Sequence, residues 1–277
     1  MIGGDSVTFN TTTSAFTDWN VGSNKTINIT GASLGGAQAG NYSLGSSTGS
    51  ATANITAKPL SVSGLTASDK IYDGTTATAV TGTASFGGVI AGDTVNINTS
   101  SVTGQFTDKN VGSGKTINLS GVALSGAEGG NYTVAGVSGV SAAITAKALT
   151  MSGLSSANKV YDGTTTAVVS GTAALQATSA AGAGSSSDGK AYDVDSVSLT
   201  GTATGTFSSK DVGSDRTVSF SGKSLAGAGR GNYTLMQQGD DTGKNITAKE
   251  TQASTPVPPS LLQIQSNTPS ATQRAHA

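Results

Sequence analysis

The sequence predicts an all-β chain of tandem small β-sandwich domains of the immunoglobulin-like kind, in an elongated array followed by a disordered C-terminal tail. Three observations predict it. Among 277 residues there are 39 glycines, no cysteine and only 11% charged side chains, against about 25% in an ordinary domain. Serine and threonine make up much of the remainder, and with glycine they are poor helix formers. Apolar residues alternate with polar ones at period two in short windows, and no window sustains a period of 3.6. Finally, the same short blocks recur at a spacing of about 90–100 residues, the length of a sandwich domain rather than of a solenoid repeat. A mostly-β grasp arrangement is the alternative, because alternation does not fix strand order.

The recurring blocks set the order of the elements. Asn20-Val21-Gly22 returns as Asn110-Val111-Gly112 and as Asp211-Val212-Gly213. Asn41-Tyr42 returns as Asn131-Tyr132 and Asn232-Tyr233, and Ile55-Thr56-Ala57-Lys58 returns at Ile144 and at Ile246. These blocks divide the chain into a partial repeat over 1–57, complete repeats over 58–147 and 148–249, and a tail over 250–277. Both complete repeats carry a Tyr-Asp-Gly-Thr-Thr block, at Tyr72-Asp73-Gly74 and at Tyr161-Asp162-Gly163. The first repeat has none. Its Asp5-Ser6-Val7 aligns with Asp93-Thr94-Val95 inside the second, so Met1 falls in mid-domain. The expectation is a C-terminal part of something longer or a misassigned start, with no signal peptide in this stretch.

Strands are expected where the alternation is cleanest, at Thr26–Thr30, Leu60–Val62, Thr116–Ser120, Leu149–Met151 and Thr217–Ser221. Gly and Asn or Asp between them mark turns, and the Asp-Gly pairs suit an Asx-turn or a positive φ. The third repeat is longer by a Ser/Ala/Gly run over 176–190, expected as an enlarged surface loop. Aromatics recur at matching places, Phe16, Phe106 and Phe207, and Tyr42, Tyr132 and Tyr233, and are expected to anchor the cores. From Glu250 the chain holds four of the five prolines and no aromatic residue. It has too little to bury to offset its ordering entropy, hence the disordered tail.

Composition also excludes functions. A net charge of −1 provides no field for nucleic acid, so no nucleic-acid partner is expected. Without cysteine there are neither disulfides nor thiolate metal sites. The single histidine, His276, lies in the tail, which removes histidine-based catalysis from the folded part. Val111-Gly112-Ser113-Gly114-Lys115-Thr116 ends like a phosphate-binding loop, but Lys109 stands where the pattern needs its first glycine and a strand follows. It reads as a hairpin turn. Paired carboxylates remain the one route to catalysis, yet the acids sit mostly in turns. No cofactor is expected, and no metal, since one acid per turn is thin for Ca²⁺. A Lys–Asn isopeptide clamp would draw on Lys70 or Lys159 with Asp73 or Asp162 and Asn131 or Asn232.

Four blocks in fixed order, Lys70–Thr76, Asp108–Gly112, Gly130–Tyr132 and Ile144–Lys147, resemble the YDG domain, and Lys159–Thr165, Lys210–Gly213, Gly231–Tyr233 and Ile246–Lys249 repeat the set. The resemblance covers nearly all of residues 1–249. It implies the YDG repeats of exoproteins similar to filamentous haemagglutinin, exported by two-partner secretion. An extracellular location at the bacterial outer membrane follows from it, as do an outer-membrane secretion partner and upstream repeats of the same adhesin as neighbours. It brings no catalytic residue, so the expected function is a non-enzymatic stalk that projects an adhesive region. The alternative is that the repeats bind a host or surface glycan or protein themselves, with Trp19 or Tyr192 as stacking platforms. Trp19 has Lys109 and Lys210 at its matching places, which marks a solvent-facing position.

Overall fold

The computed structural model describes residues 2–137, 139–182 and 185–250. The expected disordered tail, Glu250 apart, lies outside them, as does part of the 176–190 loop. The described residues form 25 strands and, beside them, three short 3-10 turns, as the low charge and the high Gly, Ser and Thr content predict.

The first repeat contains β1 (Thr8–Asn10), β2 (Thr13–Phe16), β3 (Gly22–Thr30), β4 (Ser33–Gly35), a 3-10 turn at Ala39–Asn41, and β5 (Gly49–Ile55). The second runs β6 (Lys58–Ala67), β7 (Lys70–Ile71), β8 (Ala77–Thr78), β9 (Val80–Gly87), β10 (Asn96–Asn98), β11 (Thr103–Phe106), β12 (Gly112–Ser120) and β13 (Ala123–Ser125). A 3-10 turn at Gly129–Asn131 then leads to β14 (Tyr132–Val137) and β15 (Ser141–Thr145). The third follows the same order: β16 (Lys147–Ser156), β17 (Lys159–Val160), β18 (Thr166–Ala167), β19 (Val169–Leu175), β20 (Ser198–Thr200), β21 (Thr204–Phe207), β22 (Gly213–Ser221), β23 (Ser224–Ala226), the turn Arg230–Asn232, β24 (Tyr233–Met236) and β25 (Asp241–Thr247).

The chain forms two compact units. One comprises the residues up to Ser152 with Ala174–Thr200 and Ser224–Met236; the other comprises Gly153–Ala173, Gly201–Lys223 and the residues from Gln237 on. The third repeat therefore contributes to both, and the divide falls inside β16.

In the first unit the second repeat builds a five-stranded sheet in the order β7-β15-β12-β11-β8 and a three-stranded sheet in the order β14-β6-β9. Two pairings are parallel, β14 with β6 and β7 with β15, a feature that period-two alternation cannot reveal. Tyr72, Phe106, Ile117, Ile144, Leu149, Tyr192 and Tyr233 belong to one buried cluster. Among the described residues the first repeat has only β2-β3-β5 in the equivalent sheet, since residues 2–57 hold no counterpart of β7 or β8. Its core is open in consequence. Phe106 is 2% exposed but Phe16, at the same place, is 37% exposed, so the expectation that Phe16 anchors a core is corrected. In the second repeat Thr76 accepts a backbone hydrogen bond from Phe106 and Lys70 Nζ lies 5.5 Å from its ring. The Tyr-Asp-Gly segment is thus the lid that Phe16 lacks.

The second unit carries the matching five-stranded sheet, β17-β25-β22-β21-β18, closed over Phe207, Val218, Phe220 and Ile246, all buried. Lys159 Nζ lies over the Phe207 ring at 5.6 Å, repeating the Lys70–Phe106 arrangement.

A glycine pair makes the bulge between β6 and β9 possible. Register shifts between Ser63 and Leu65, where Gly64 (φ +83°) and Gly82 (φ +95°) face one another. A Cβ on Gly82 would stand 2.3 Å from the Gly64 carbonyl oxygen. Gly153 and Gly171 repeat the device in the second unit, with 2.1 Å in place of 2.3 Å. Gly82→Ala is therefore expected to cost at least about 1–3 kcal/mol, from the positive φ together with the backbone clash. Urea unfolding of the variant beside the parent measures it, and an unchanged midpoint would contradict it.

Candidate functional site

The Tyr-Asp-Gly segment does two separate jobs. Its aspartate closes a turn. Asp73 Oδ1 accepts from the Thr75 backbone N–H at 2.8 Å, from the Thr75 hydroxyl at 2.9 Å and from Lys70 Nζ at 2.8 Å. Lys70 Nζ also donates to the carbonyls of Thr75 and Ala77. Gly74 supplies the positive φ (+80°) that the turn requires. The second unit repeats the motif: Asp162 accepts from Thr164 and pairs with Lys159 at 2.7 Å. That lysine and the Thr164 donors hold the Asp162 carboxyl down at about 2. Burial opposes the charge on Asp73, but Lys70 and Thr75 outweigh it and keep its pKa below the ordinary value.

Its tyrosine reaches out of its own repeat. Tyr72 is held on β15 through its N–H to the Thr145 carbonyl, which places the ring on residues of the third repeat. The hydroxyl donates to Asp195 Oδ2 at 2.6 Å, and Tyr233 donates to the same oxygen at 2.7 Å. Lys109 Nζ donates to Asp195 Oδ1 at 3.0 Å, and the Tyr192 N–H donates to the Tyr233 hydroxyl. The Tyr72 ring meets Tyr233 at 5.4 Å and Tyr192 at 5.9 Å, both edge-on, a favoured geometry for aromatic pairs. Beside this socket Asn232 Oδ1 accepts from the Val111 N–H, and its Nδ2 donates to Asn110.

Buried charge in the socket is compensated. Burial pushes against ionisation of Asp195, but donation from Tyr72, Tyr233 and Lys109 prevails and holds its pKa below the usual carboxylate value. Burial, and next the Asp195 carboxylate, raise the hydroxyl pKa of Tyr72 and of Tyr233, so both remain donors. Lys147 is fully buried, 2.8 Å from Asp188 Oδ1 and 3.9 Å from the centre of the Tyr192 ring. Its hydrogen-bond alignment is poor, so its compensation is Coulombic and from the ring face. The 176–190 segment is not only a surface loop. Gly182 N–H donates to the Asp73 carbonyl, and Ala181 lies so close that a Cβ on Gly74 would be 2.8 Å from it.

The socket is built three times. Tyr132 donates to Asp93 and takes the Ile90 N–H, while Asn131 takes the Val21 N–H and donates to Asn20. Tyr42 donates to Asp5 and takes the Ile2 N–H. Asn41, its neighbour, is exposed. Only the third-repeat socket holds a Tyr-Asp-Gly tyrosine. Tyr161, the other one, sits on β25 through its N–H to Thr247 and is 37% exposed.

Of the two proposed stacking platforms, Trp19 is open at 77% exposure, but Tyr192 is buried at 1%. Packed between Tyr72 and Lys147, Tyr192 has no face for a sugar. The isopeptide partners are not brought together: Lys70 is bonded within its own turn, and Asn131 to Asn20 and Val21. The Gly112–Thr116 stretch is not a hairpin turn but the bulged start of β12, with Gly114 at φ +59°. The acceptor residues Asp93 and Asp195 escaped sequence reasoning, although Asp5-Ser6-Val7, Asp93-Thr94-Val95 and Asp195-Ser196-Val197 form a threefold repeat in register with the Asn-Tyr pairs.

The family model described as YDG domain matches residues 1–51, 56–139 and 145–243. No curated protein and no solved structure matches the chain.

Proposed function

We propose that this chain, which belongs to the YDG-domain family, is a non-enzymatic stalk region of a bacterial secreted or surface adhesin, exported through an outer-membrane partner by two-partner secretion. One observation carries the structural half of that reading. Polar residues of the recurring blocks join one repeat to another in the first unit: Tyr72 on Asp195, Asn232 on Val111, Asn131 on Val21. A buried carboxylate that accepts from two tyrosines and a lysine and is held ionised by them is poorly suited to acid–base work on a substrate. Residues that couple one module to the next, copied with the module, are what a spacer needs.

The adhesin setting is supported by the family resemblance and by the lack of cysteine, which leaves a chain free of crosslinks during passage through a secretion pore. Binding by the repeats themselves is the competing reading, favoured by the open face of Trp19. A glycan array and a cell-binding assay on the 277-residue chain separate the two. A spacer shows no saturable binding. Saturable binding lost on Trp19→Ala would move the adhesive function into the repeats.

A further inference from the structure

In each complete repeat the first strands lie beside the last ones and run the same way. β6 pairs in parallel with β14, from Lys58 opposite Tyr132 to Val62 opposite Val137. β7 pairs in parallel with β15, Lys70 opposite Ile144 and Ile71 opposite Thr145. The third repeat shows both pairings again, β16 with β24 and β17 with β25, where Lys159 stands opposite Ile246 and Val160 opposite Thr247. A two-residue pairing is short, and each copy is reinforced at the same places. Ahead of it Asp69 Oδ1 accepts from the Ala143 N–H at 2.6 Å, as Asn158 Oδ1 accepts from the Asn245 N–H at 2.8 Å. Within it the Thr145 hydroxyl donates to the Lys70 carbonyl, and the Thr247 hydroxyl to the Lys159 carbonyl. Past it the Tyr72 N–H donates to Thr145 and the Tyr161 N–H to Thr247. Two of the recurring blocks, the Tyr-Asp-Gly block and Ile-Thr-Ala-Lys, thus meet backbone to backbone.

Parallel pairing of the terminal strands has a mechanical consequence. Tension along the chain pulls the start of β6 towards its N-terminal side and the end of β15 towards its C-terminal side. For strands that run in parallel these are opposite directions along the strand axis, so the pair is sheared. The bonds of a parallel ladder are evenly spaced and slant across that axis. They stretch together, and the pair gives way in a single step. Antiparallel strands joined by a hairpin and loaded at their adjacent ends open bond by bond instead. Only Ala146 separates β15 from β16, so load that leaves the second repeat enters the third directly.

We infer that these parallel terminal strands are a shear clamp, which makes each complete repeat a load-bearing element that resists tension between its two ends. The clamp deepens the stalk reading and rests on it for its use, because an anchored stalk with a bound distal end is pulled along its chain. Its mechanics rest on the strand pairing alone. Forced unfolding is governed by the unfolding rate and not by equilibrium stability, so modules with small cores can hold against a pull.

The chain has no cysteine, so introduced cysteines are unique attachment points for single-molecule pulling on the 277-residue chain. Thr56→Cys with Lys249→Cys loads both complete repeats in shear. Ser68→Cys with Ser141→Cys, where β6 passes into β7 and β14 into β15, pulls the same strands apart from one end. All four positions are exposed, and urea unfolding of each double variant beside the parent separates an effect of direction from a loss of fold. In shear the expected result is two abrupt releases, of at least about 250 Å and about 300 Å. These are the extended lengths, at about 3.3–3.6 Å per residue, of the 75 residues from Lys70 to Thr145 and the 88 from Lys159 to Thr247. The pair at 68 and 141 is expected to yield at severalfold lower force. Equal forces in the two directions, or gradual extension in shear without abrupt releases, would overturn the clamp. Clamp and stalk fail separately: saturable glycan binding by the repeats removes the stalk and leaves the directional force, whereas equal forces without binding remove the clamp and leave a spacer.

Discussion

Replacing Tyr72 by alanine is expected to destabilise the first unit by about 3–5 kcal/mol, the range for deleting a large buried aromatic. Tyr72 is completely buried, it meets two other rings edge-on, and its hydroxyl is one of three donors to a buried carboxylate. Alanine leaves a cavity and removes one donor together. Tyr72→Phe keeps the ring and loses only the hydrogen bond, so it is expected to cost about 1–3 kcal/mol. The control is built into the chain. Tyr161 has closely similar sequence neighbours, the same Asx-turn and the same backbone bond to the strand beside it, but its ring is partly exposed and has no socket among the described residues. Tyr161→Ala is expected to stay within about 1 kcal/mol of the parent. Urea unfolding of the three variants decides the matter. Equal losses for Tyr72→Ala and Tyr161→Ala would show that the tyrosine serves its own repeat and not the junction.

That contrast also marks how far the sequence could be read. The all-β class was legible because glycine, serine, threonine and period-two alternation all point the same way. The Asp73 and Asp162 turns were legible because an Asp-Gly pair has few conformational uses. The partners of Tyr72 were not, since they lie more than a hundred residues downstream and in another copy of the repeat. Internal repetition aligns Tyr72 with Tyr161, and so invites the same role for both. The environments differ because Tyr72 meets the Asp195 socket, whereas Tyr161 meets none among the described residues. Parallel pairing of β7 with β15 was hidden for a related reason: a two-residue strand has no period to detect. Phe16 misled in the opposite direction. Its alignment with Phe106 is correct, but burial at that place depends on Lys70–Thr76, a segment with no counterpart in the first repeat. Position in a repeat predicts burial only when the covering strand is present.

Asp195→Asn is expected to lower stability at neutral pH by about 1–3 kcal/mol, with a pH dependence of definite sign. In the folded chain the Asp195 carboxyl lies below its ordinary value, because the Tyr72, Tyr233 and Lys109 donors outweigh the burial that opposes its charge. A depressed folded pKa means that the unfolded chain binds the proton more readily. The contribution of Asp195 is therefore fully present above the unfolded value, about 3.9, and is lost as pH falls through that value and on through the folded one. Asp73, Asp162, Asp188 and Asp241 are shifted in the same direction, so the parent's whole acid limb cannot be assigned to one residue. The difference between parent and variant can. Melting temperatures of both, taken from pH 7 to pH 2, should show a gap that is constant down to about pH 5 and closes below pH 4. Asparagine still accepts from one tyrosine but offers no charge to Lys109, whose side chain is two-thirds covered, so the neutral-pH gap measures chiefly the ionised partner. A gap that persists undiminished to pH 2 would mean that the shape of the side chain, and not its charge, holds Tyr72 and Tyr233 in place.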